Sequence, residues 1–221
     1  MSLQDAPART QQHDLFADSF AELRPPSARR WPDGLRYQPE FLSFAEETEL
    51  LRLVASLPLA PALYKEYTAR RRVLSFGGAL DEDASEADRR APKRPLIEAL
   101  QPLRGRVAAW LGVAPGALVH AMVAEYQPGT PLGWHRDMPD FEAIVGVSLG
   151  TPATLRLRPW PPVEPKRADV LKLVVAPRSI YRMEGTARWG WQHSVAPTPE
   201  LRWSITWRTA RAAGGRAMSL D

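Results

Sequence analysis

The sequence contains no cysteine, only four histidines, and only four lysines among its 29 basic residues. Without cysteine it can form neither disulfides nor thiolate metal sites, so any metal ion must be held by histidine and carboxylate side chains. No stretch approaches the roughly 18 to 20 consecutive apolar residues that a membrane-spanning helix requires. The first residues also lack the apolar segment of a signal peptide. These absences predict a cytoplasmic protein that does not engage a membrane.

Arginine supplies most of the positive charge, and the net charge is +4 at pH 7. Arginine binds phosphate through two parallel hydrogen bonds and stacks on bases. A GC-rich genome, however, raises arginine, alanine and proline together, and the chain has 22 prolines. The charge alone therefore gives only weak support for nucleic-acid binding.

The 221 residues are enough for one domain with a sizeable core. Residues 1–30 are polar and without a regular period, so we expect a disordered tail, followed by one domain over residues 31–211 and a short tail over 212–221. Ser43 and Glu46 form a capping-box pattern ahead of apolar residues at helical spacing, which predicts a helix. A second helix is predicted over residues 96–112. We expect a monomer.

After Gly112 the sequence becomes mostly β-forming, with short segments separated by glycine, proline or charged clusters. Strands are predicted over residues 117–127, 142–150, 153–160, 170–177, 179–183 and 202–208, and two earlier ones over 34–42 and 70–80. Helices followed by about six close strands predict an α+β fold. More specifically, we expect a double-stranded β-helix (jelly-roll) core with the N-terminal helices packed on one face. An ordinary β-sandwich without a functional site remains the alternative.

The segment GWHRDMPDF places His135 and Asp137 two residues apart, so in an extended chain both point to one side. His193 is the best third ligand, because His13 lies in the predicted tail and His120 lies in an apolar strand, where we expect a buried, hydrogen-bonded side chain. Two histidines and one carboxylate with open positions are the ligand set of non-haem Fe(II) oxygenases. Zinc accepts the same donors. Most isolated His-x-Asp pairs are surface residues, so further features must decide.

The segment RWSITWR supplies such a feature. Arg202 and Arg208 are six residues apart, so on a strand they share one face with Ser204 and Thr206. The other face carries large apolar side chains: Trp203, Ile205 and Trp207. Two arginines on a buried face require anions, and a dicarboxylate offers one carboxylate to each. An iron site beside such a pair predicts a 2-oxoglutarate-dependent oxygenase. An edge strand with both arginines in solvent is the alternative.

These segments resemble the AlkB family of Fe(II)/2-oxoglutarate dioxygenases. The resemblance covers roughly residues 117 to 209 through AEYQPGTPLGWHRD, IVGVSLG, MEGTARWGWQHSV and RWSITWR, in that order. It implies Fe(II), 2-oxoglutarate and O2 as cofactor and cosubstrates. It implies iron binding by His135, Asp137 and His193, and binding of the distal carboxylate of 2-oxoglutarate by Arg202. It further implies that Arg208 lies near the metal-bound end and that Tyr126 hydrogen-bonds the cosubstrate, and we expect Ser204 and Thr206 to share this pocket.

The sequence departs from the AlkB pattern at two positions. Ala124 stands where many members have asparagine, so one hydrogen bond to the cosubstrate is missing or replaced. Pro139 stands where members often have an acidic residue near the base, which weakens the assignment of the substrate.

The resemblance also implies the reaction and its substrate: oxidative removal of methyl or etheno groups from bases in DNA or RNA, with release of succinate. A single-stranded or flipped base needs an aromatic platform and phosphate contacts. We expect these from Trp134, Phe76, Trp189 and Trp191, and from Arg70, Arg71 and Arg72. Residues 31–116 match only in outline the part that forms the family's nucleotide-recognition lid. A 2-oxoglutarate oxygenase acting on protein or a small molecule, and a non-catalytic protein with a relic site, are the alternatives.

Overall fold

The computed structural model of the protein describes residues 31–64, 67–77, 94–162 and 170–211. The predicted tails, residues 1–30 and 212–221, lie outside these ranges. Within them, no helix is long and apolar enough to cross a membrane.

Three α-helices form in the described ranges: α1 over Phe44–Ser56, α2 over Gln101–Leu111 and the short α3 over Gly185–Trp189. The predicted capping box at the start of α1 is confirmed, because the Ser43 hydroxyl accepts from the Glu46 backbone and the Glu46 carboxylate accepts from the Ser43 backbone. Helix α2 begins five residues later than predicted, after a 3-10 turn. It ends as predicted at Gly112, whose φ of 76° is readily adopted by glycine.

In the described residues, eleven strands form two antiparallel sheets. The seven-stranded sheet has the order β1-β9-β6-β11-β4-β3-β2, and the four-stranded sheet has the order β5-β10-β7-β8. The strands are β1 Leu35–Gln38, β2 Ala60–Tyr64, β3 Tyr67–Phe76, β4 Leu118–Tyr126, β5 Leu132–His135, β6 Phe141–Gly150, β7 Ala153–Pro159, β8 Leu171–Val175, β9 Ile180–Met183, β10 Trp191–Val195 and β11 Arg202–Ala210. The predicted fold class, an α+β jelly roll, is confirmed. Three short strands, β2, β5 and β10, were not predicted.

Strand β11 lies in the middle of the larger sheet and separates its two faces. Ile205 and Trp207 point to one face and share a buried cluster with Val54 of α1 and Val107 of α2. The predicted alternation on this strand therefore holds. The opposite face carries the polar side chains and points toward the four-stranded sheet, where the candidate site lies: Arg202, Ser204, Thr206 and Arg208.

Helix α1 is fixed to the sheet by a buried carboxylate. Glu47 is 5% exposed, and its Oε1 accepts a 2.9 Å hydrogen bond from the backbone N–H of Gly150 at the end of β6. Its Oε2 lies 3.3 Å from the Arg178 guanidinium. Because Gly150 pairs with Arg202 on β11, this contact connects the helix layer to one end of the candidate site.

Candidate metal and cosubstrate site

The structure brings His135, Asp137 and His193 together although His193 is 58 residues from His135 in sequence. One ligand atom from each lies within 4.8 Å of the others. His193 Nε2 is 3.4 Å from Asp137 Oδ2, and the two imidazole centroids are 4.2 Å apart. Strand pairing causes this convergence, because β10 and β5 are antiparallel neighbours in which His193 is directly opposite His135.

The protonation states of these side chains suit metal binding. His135 Nδ1 lies 2.8 Å from the Gly133 carbonyl, to which it donates as Nδ1–H, and this leaves Nε2 free to bind a cation. Burial and the neighbouring His135 lower the pKa of His193 to about 3, and burial also lowers the pKa of His135. Both rings are therefore neutral at pH 7, the form that ligates metals.

Asp137 is oriented by Arg208, whose Nε and Nη2 both donate to Oδ1 at 3.0 and 2.7 Å. The second oxygen, Oδ2, is the one that faces His193. Burial opposes ionisation of Asp137, but Arg208 and the two histidines outweigh it and hold the pKa of this carboxyl well below its usual value. Arg208 Nη1 also donates to His120 Nδ1 at 3.1 Å, so His120 is buried and hydrogen-bonded as predicted.

Arg202 is the most deeply buried arginine of the site, with 2% exposure. Its Nη2 donates to Ser148 Oγ at 3.3 Å, and its guanidinium lies 5.0 Å from the Tyr126 ring centroid. Its Nε and Nη1 are buried without a hydrogen-bond acceptor. No ion pair involves Arg202 in the part of the chain that the structure describes. A buried guanidinium in this state requires an anion to offset its loss of hydration.

Tyr126 and Ser204 lie beside Arg202 on the same sheet face. Tyr126 is directly opposite Arg202 in the pairing of β4 with β11. Burial opposes ionisation of its phenol, but Arg71, Arg202 and a contact with Ser204 outweigh it and lower the pKa of Tyr126. Ala124, the first departure from the AlkB pattern, pairs with Ser204, which in turn pairs with Ser148. Two hydroxyls therefore stand beside the position where many family members have an amide.

Sequence reasoning missed Tyr181, which lies on this face of the sheet. It is opposite Gly146, and a Cβ at that glycine would overlap the Tyr181 ring. Burial raises the pKa of Tyr181 to about 12, so its phenol stays neutral. The adjacent glycine in IVGVSLG was the one available signal, because a glycine inside a strand often marks a close approach.

Arg188 on α3 was also missed, and no pattern in the sequence indicates it. It is 3% exposed, and its Nη2 donates to the backbone carbonyls of Asp137 and Met138 at 2.8 and 2.5 Å. The side chain thereby fixes the loop that follows β5 and holds the candidate carboxylate ligand.

A cleft of about 690 Å³ opens beside His135. Three residues predicted to contact the substrate line it, namely Trp134, Arg70 and Arg71. Arg70 is exposed, whereas Arg71 is 6% exposed and influences both Tyr126 and His135. The cleft therefore connects solvent to His135 along a wall that carries two arginines.

Of the predicted substrate contacts on β3, two do not lie at this cleft. Phe76 is 2% exposed and belongs to the core beneath the helices, so a base cannot stack on it. Arg72 pairs with Glu125 at 3.2 Å and donates to the Leu59 carbonyl at 2.8 Å. Alternation along β3 explains both corrections, because Arg72, Leu74 and Phe76 share the face opposite to Arg71.

The two tryptophans near His193 make contacts with other side chains of the protein. Trp189 Nε1 donates to Glu142 at 3.0 Å, and the guanidinium groups of Arg188 and Arg211 lie 4.3 and 4.4 Å from its ring centroid. Trp191 packs against the smaller hydrophobic core. Neither residue lines the cleft that contains Trp134. Pro139, the second departure from the AlkB pattern, is exposed in the loop between β5 and β6.

The donor set fits Fe(II) with 2-oxoglutarate. Two neutral imidazoles and one ionised carboxylate meet at one point, as the iron ligand set requires. These donors alone would also suit zinc. The buried Arg202 with two unpaired N–H groups adds a site for a carboxylate, which a zinc site does not require. The Ser148, Ser204 and Tyr126 hydroxyls complete a polar pocket around it.

Comparison with known proteins agrees with this chemistry. Residues 34–211 match the 2OG-Fe(II) oxygenase superfamily. An uncharacterised protein of Acanthamoeba polyphaga mimivirus is 32% identical over 100 residues. That match covers 39% of this chain and 46% of the viral protein, so it spans less than half the length of this relative.

Solved structures share the fold at low identity. OsALKBH1 has 15% identity and a TM-score of 0.57, covering 82% of this chain and all of that one. A Pseudomonas putida prolyl-4-hydroxylase has 18% identity and a TM-score of 0.51, with coverage of 80% and 93%. A Trichoplax adhaerens prolyl hydroxylase, solved with a peptide fragment of hypoxia inducible factor, has 19% identity and a TM-score of 0.55, with coverage of 80% and 84%. The family match covers most of the sequence, and the chain belongs to the 2OG-Fe(II) oxygenase superfamily.

Proposed function

We propose that this protein is an AlkB-like oxygenase that removes alkyl groups from bases in DNA or RNA, and that residues 31–211 form its catalytic domain. The observation that carries the proposal is the cleft beside His135, which combines Arg70 and Arg71 with the ring of Trp134. Cations next to an aromatic surface suit a nucleotide, because phosphate is anionic and every base has a face on which an aromatic side chain can stack.

Different residues of the site would bind the metal and the cosubstrate. His135, Asp137 and His193 would hold Fe(II), and Arg208 keeps Asp137 ionised with Oδ2 directed at the metal position. Arg202 would bind the distal carboxylate of 2-oxoglutarate, assisted by Ser148 and Tyr126. We assign Ser204 and Thr206 to the wall of the same pocket, since both are buried on this face.

Iron held by His135, Asp137 and His193 would, together with 2-oxoglutarate, supply the activation of O2 needed to insert one oxygen atom into a C–H bond of the substrate, the other oxygen atom entering succinate with loss of carbon dioxide. For a methyl group on a ring nitrogen, the product N–CH2OH breaks its C–N bond and releases formaldehyde and the unmodified base. The protein contributes binding, orientation and exclusion of water.

Trp134 is the aromatic residue of the cleft lining, and we assign it to contact with the base. Because Trp134 and His135 are consecutive on β5, their side chains point to opposite faces of the strand, so Trp134 would meet the substrate at the rim of the cleft. Arg71 lies deeper, near Tyr126 and His135, where a buried cation disfavours a positively charged group and favours polar acceptor atoms on the substrate. Removal of etheno adducts, which are neutral at pH 7, is compatible with this environment.

A second function, hydroxylation of protein or a small molecule, is favoured by one finding: the fold is shared with two prolyl hydroxylases. The two functions differ in substrate rather than in iron or cosubstrate chemistry. A peptide substrate gains little from a cationic cleft unless the peptide is acidic.

The test is incubation of the Fe(II)-loaded protein with 2-oxoglutarate, O2 and a panel of oligonucleotides bearing N-methyl or etheno lesions in DNA and RNA. Mass spectrometry should show loss of the adduct together with an equivalent amount of succinate. Unmodified strands and the Asp137→Ala variant serve as controls. If succinate accumulates with proline-containing peptides or small acids while every alkylated strand stays unchanged, the second function replaces the first.

A further inference from the structure

The outer face of the four-stranded sheet carries a group of cations that the candidate site does not use. On β7, Arg156 and Arg158 alternate with the buried Leu155 and Leu157, so both guanidinium groups point away from the core. Lys172 on β8 is directly opposite Arg156. In the described part of the chain, no carboxylate forms an ion pair with any of these three cations. We call them the cationic track.

The arginines of the track are held by neutral partners. Arg156 Nε donates to Ser194 Oγ at 2.9 Å, and Arg158 donates to Gln192 Oε1 from Nε at 2.9 Å and from Nη2 at 2.7 Å. Both partners are directly opposite on β10. These bonds orient the guanidinium groups without neutralising them, and further N–H groups remain available to an incoming anion.

This arrangement is unfavourable for the isolated sheet. Like charges directly opposite on neighbouring strands repel each other, and Arg156 and Lys172 are such a pair. A lysine on an edge strand prevents unwanted pairing of that edge, which accounts for Lys172 on β8. It does not account for Arg156 and Arg158, because β7 lies inside the sheet between β10 and β8. An anionic partner would offset the repulsion.

The track continues to the cleft through Trp134. The Arg158 and Arg156 guanidinium carbons lie 4.4 and 5.3 Å from the centroid of the Trp134 ring. Trp134 itself lines the cleft beside His135. Close by in sequence, the exposed Arg136 lies 4.9 Å over the ring of Trp160, which is 39% exposed. Two arginines of the track therefore contact Trp134, which also lines the cleft, and Arg136 with Trp160 forms a further cation–aromatic pair.

We propose that the cationic track binds the phosphodiester backbone of a single-stranded nucleic acid and leads the strand beside the target base to the cleft. This rests on the proposed function, whose substrate class it specifies as single-stranded. Arginine forks match phosphate oxygens, and aromatic rings between them accommodate bases without regard to sequence. An acidic peptide would satisfy the charges but has no use for the rings.

The test compares two double variants with the same change in charge. Arg156→Gln with Arg158→Gln removes the two arginines of the track, and Arg36→Gln with Arg52→Gln removes two exposed cations elsewhere. Binding of an unmodified single-stranded oligonucleotide is measured by fluorescence anisotropy over a salt series. For the track variant we expect Kd to rise roughly tenfold at low salt, and the log–log salt slope to fall by about 1.4, or 0.7 for each phosphate contact. The control variant should resemble the wild type.

Two further measurements separate the possible outcomes. The rate on an alkylated mononucleoside should fall much less in the track variant than the rate on an alkylated oligonucleotide, since the mononucleoside has no phosphodiester backbone. A lysine pair, Arg156→Lys with Arg158→Lys, should retain most of the binding and shows that loss in the glutamine pair is not a folding defect. Equal oligonucleotide affinity of the track and control variants would show that the track does not bind the strand, and would leave the proposed dealkylation intact. Binding of polyglutamate is measured in the same way. If the track variant loses as much affinity for polyglutamate as for the oligonucleotide, the track is a surface for acidic protein instead.

Discussion

Arg202 is buried with two N–H groups that have no acceptor, and this makes it the residue most dependent on a bound anion. We predict that Arg202→Gln raises Kd for 2-oxoglutarate roughly tenfold to a hundredfold, because a hydrogen bond to a charged group contributes about 1.5 to 3 kcal/mol. Fe(II) affinity should be unchanged, since the ligands are on other strands. Anaerobic calorimetry with the Fe(II)-loaded protein measures both. The exposed Arg52→Gln is the control. Unchanged 2-oxoglutarate affinity in the Arg202 variant would show that Arg202 does not bind the cosubstrate.

Arg188 acts through Asp137 rather than on the substrate. It donates to the backbone carbonyls of Asp137 and Met138, so its removal frees the loop that aims the carboxylate. We predict that Arg188→Met weakens Fe(II) binding by about tenfold to a hundredfold, the usual range for residues that support a metal ligand. Competition with a chelator under anaerobic conditions gives the affinity. Partial recovery in Arg188→Lys is expected, and wild-type iron affinity in Arg188→Met would contradict this positioning role.

The sequence predicts which residues share one side of a strand where their spacing is short and regular. His135 and Asp137 are two apart and Arg202 and Arg208 are six apart, so strand geometry alone places each pair on one side. Tyr181 and Arg188 were missed because they approach the site only through the pairing of distant strands and a short helix. Phe76 was misassigned because sequence does not tell which face of β3 the helices cover.

At the scale of elements, strand β11 organises the site. Its polar side chains lie on the face of the candidate site, while Ile205 and Trp207 pack against the helices on the other face. Alternation predicted this division. The helix-to-sheet contact made by Glu47 could not be predicted, since its partners Gly150 and Arg178 are more than 100 residues away.

That contact gives a prediction about stability. Glu47→Ala leaves the Gly150 N–H and the Arg178 guanidinium without their acceptor, so the free energy of unfolding should fall by about 1 to 3 kcal/mol. Glu47→Gln keeps one acceptor and should lose less. Chemical denaturation of the three proteins measures the difference, and a Glu47→Ala variant as stable as the wild type would show that α1 is held by its apolar contacts alone.

At the scale of the whole molecule, buried histidines make stability depend on pH. Burial and Arg208 lower the pKa of His120 from 6.5 to about 3. Between these values the unfolded chain binds a proton that the folded protein excludes, so stability is present above pH 6.5 and declines as pH falls toward 3. The slope from one such group is at most about 1.4 kcal/mol per pH unit.

We therefore expect His120→Asn to flatten the pH dependence of unfolding in the metal-free protein between pH 6.5 and 4. Denaturant titrations at several pH values in this window give the slope, which is independent of any fixed loss of stability caused by the substitution. His193 contributes in the same direction and remains in the variant, so part of the slope should persist. A slope identical to that of the wild type would mean that His120 is protonated in the folded state.

The central claim is that His135, Asp137 and His193 bind Fe(II) and that Arg202 binds 2-oxoglutarate next to it. Anaerobic equilibrium dialysis with Fe(II) and labelled 2-oxoglutarate tests this most directly. The wild type should retain one of each per chain. Asp137→Ala should retain neither at the same concentrations, and Arg202→Gln should retain iron but little 2-oxoglutarate. Stoichiometric iron in the Asp137 variant, or undiminished 2-oxoglutarate in the Arg202 variant, would contradict the account.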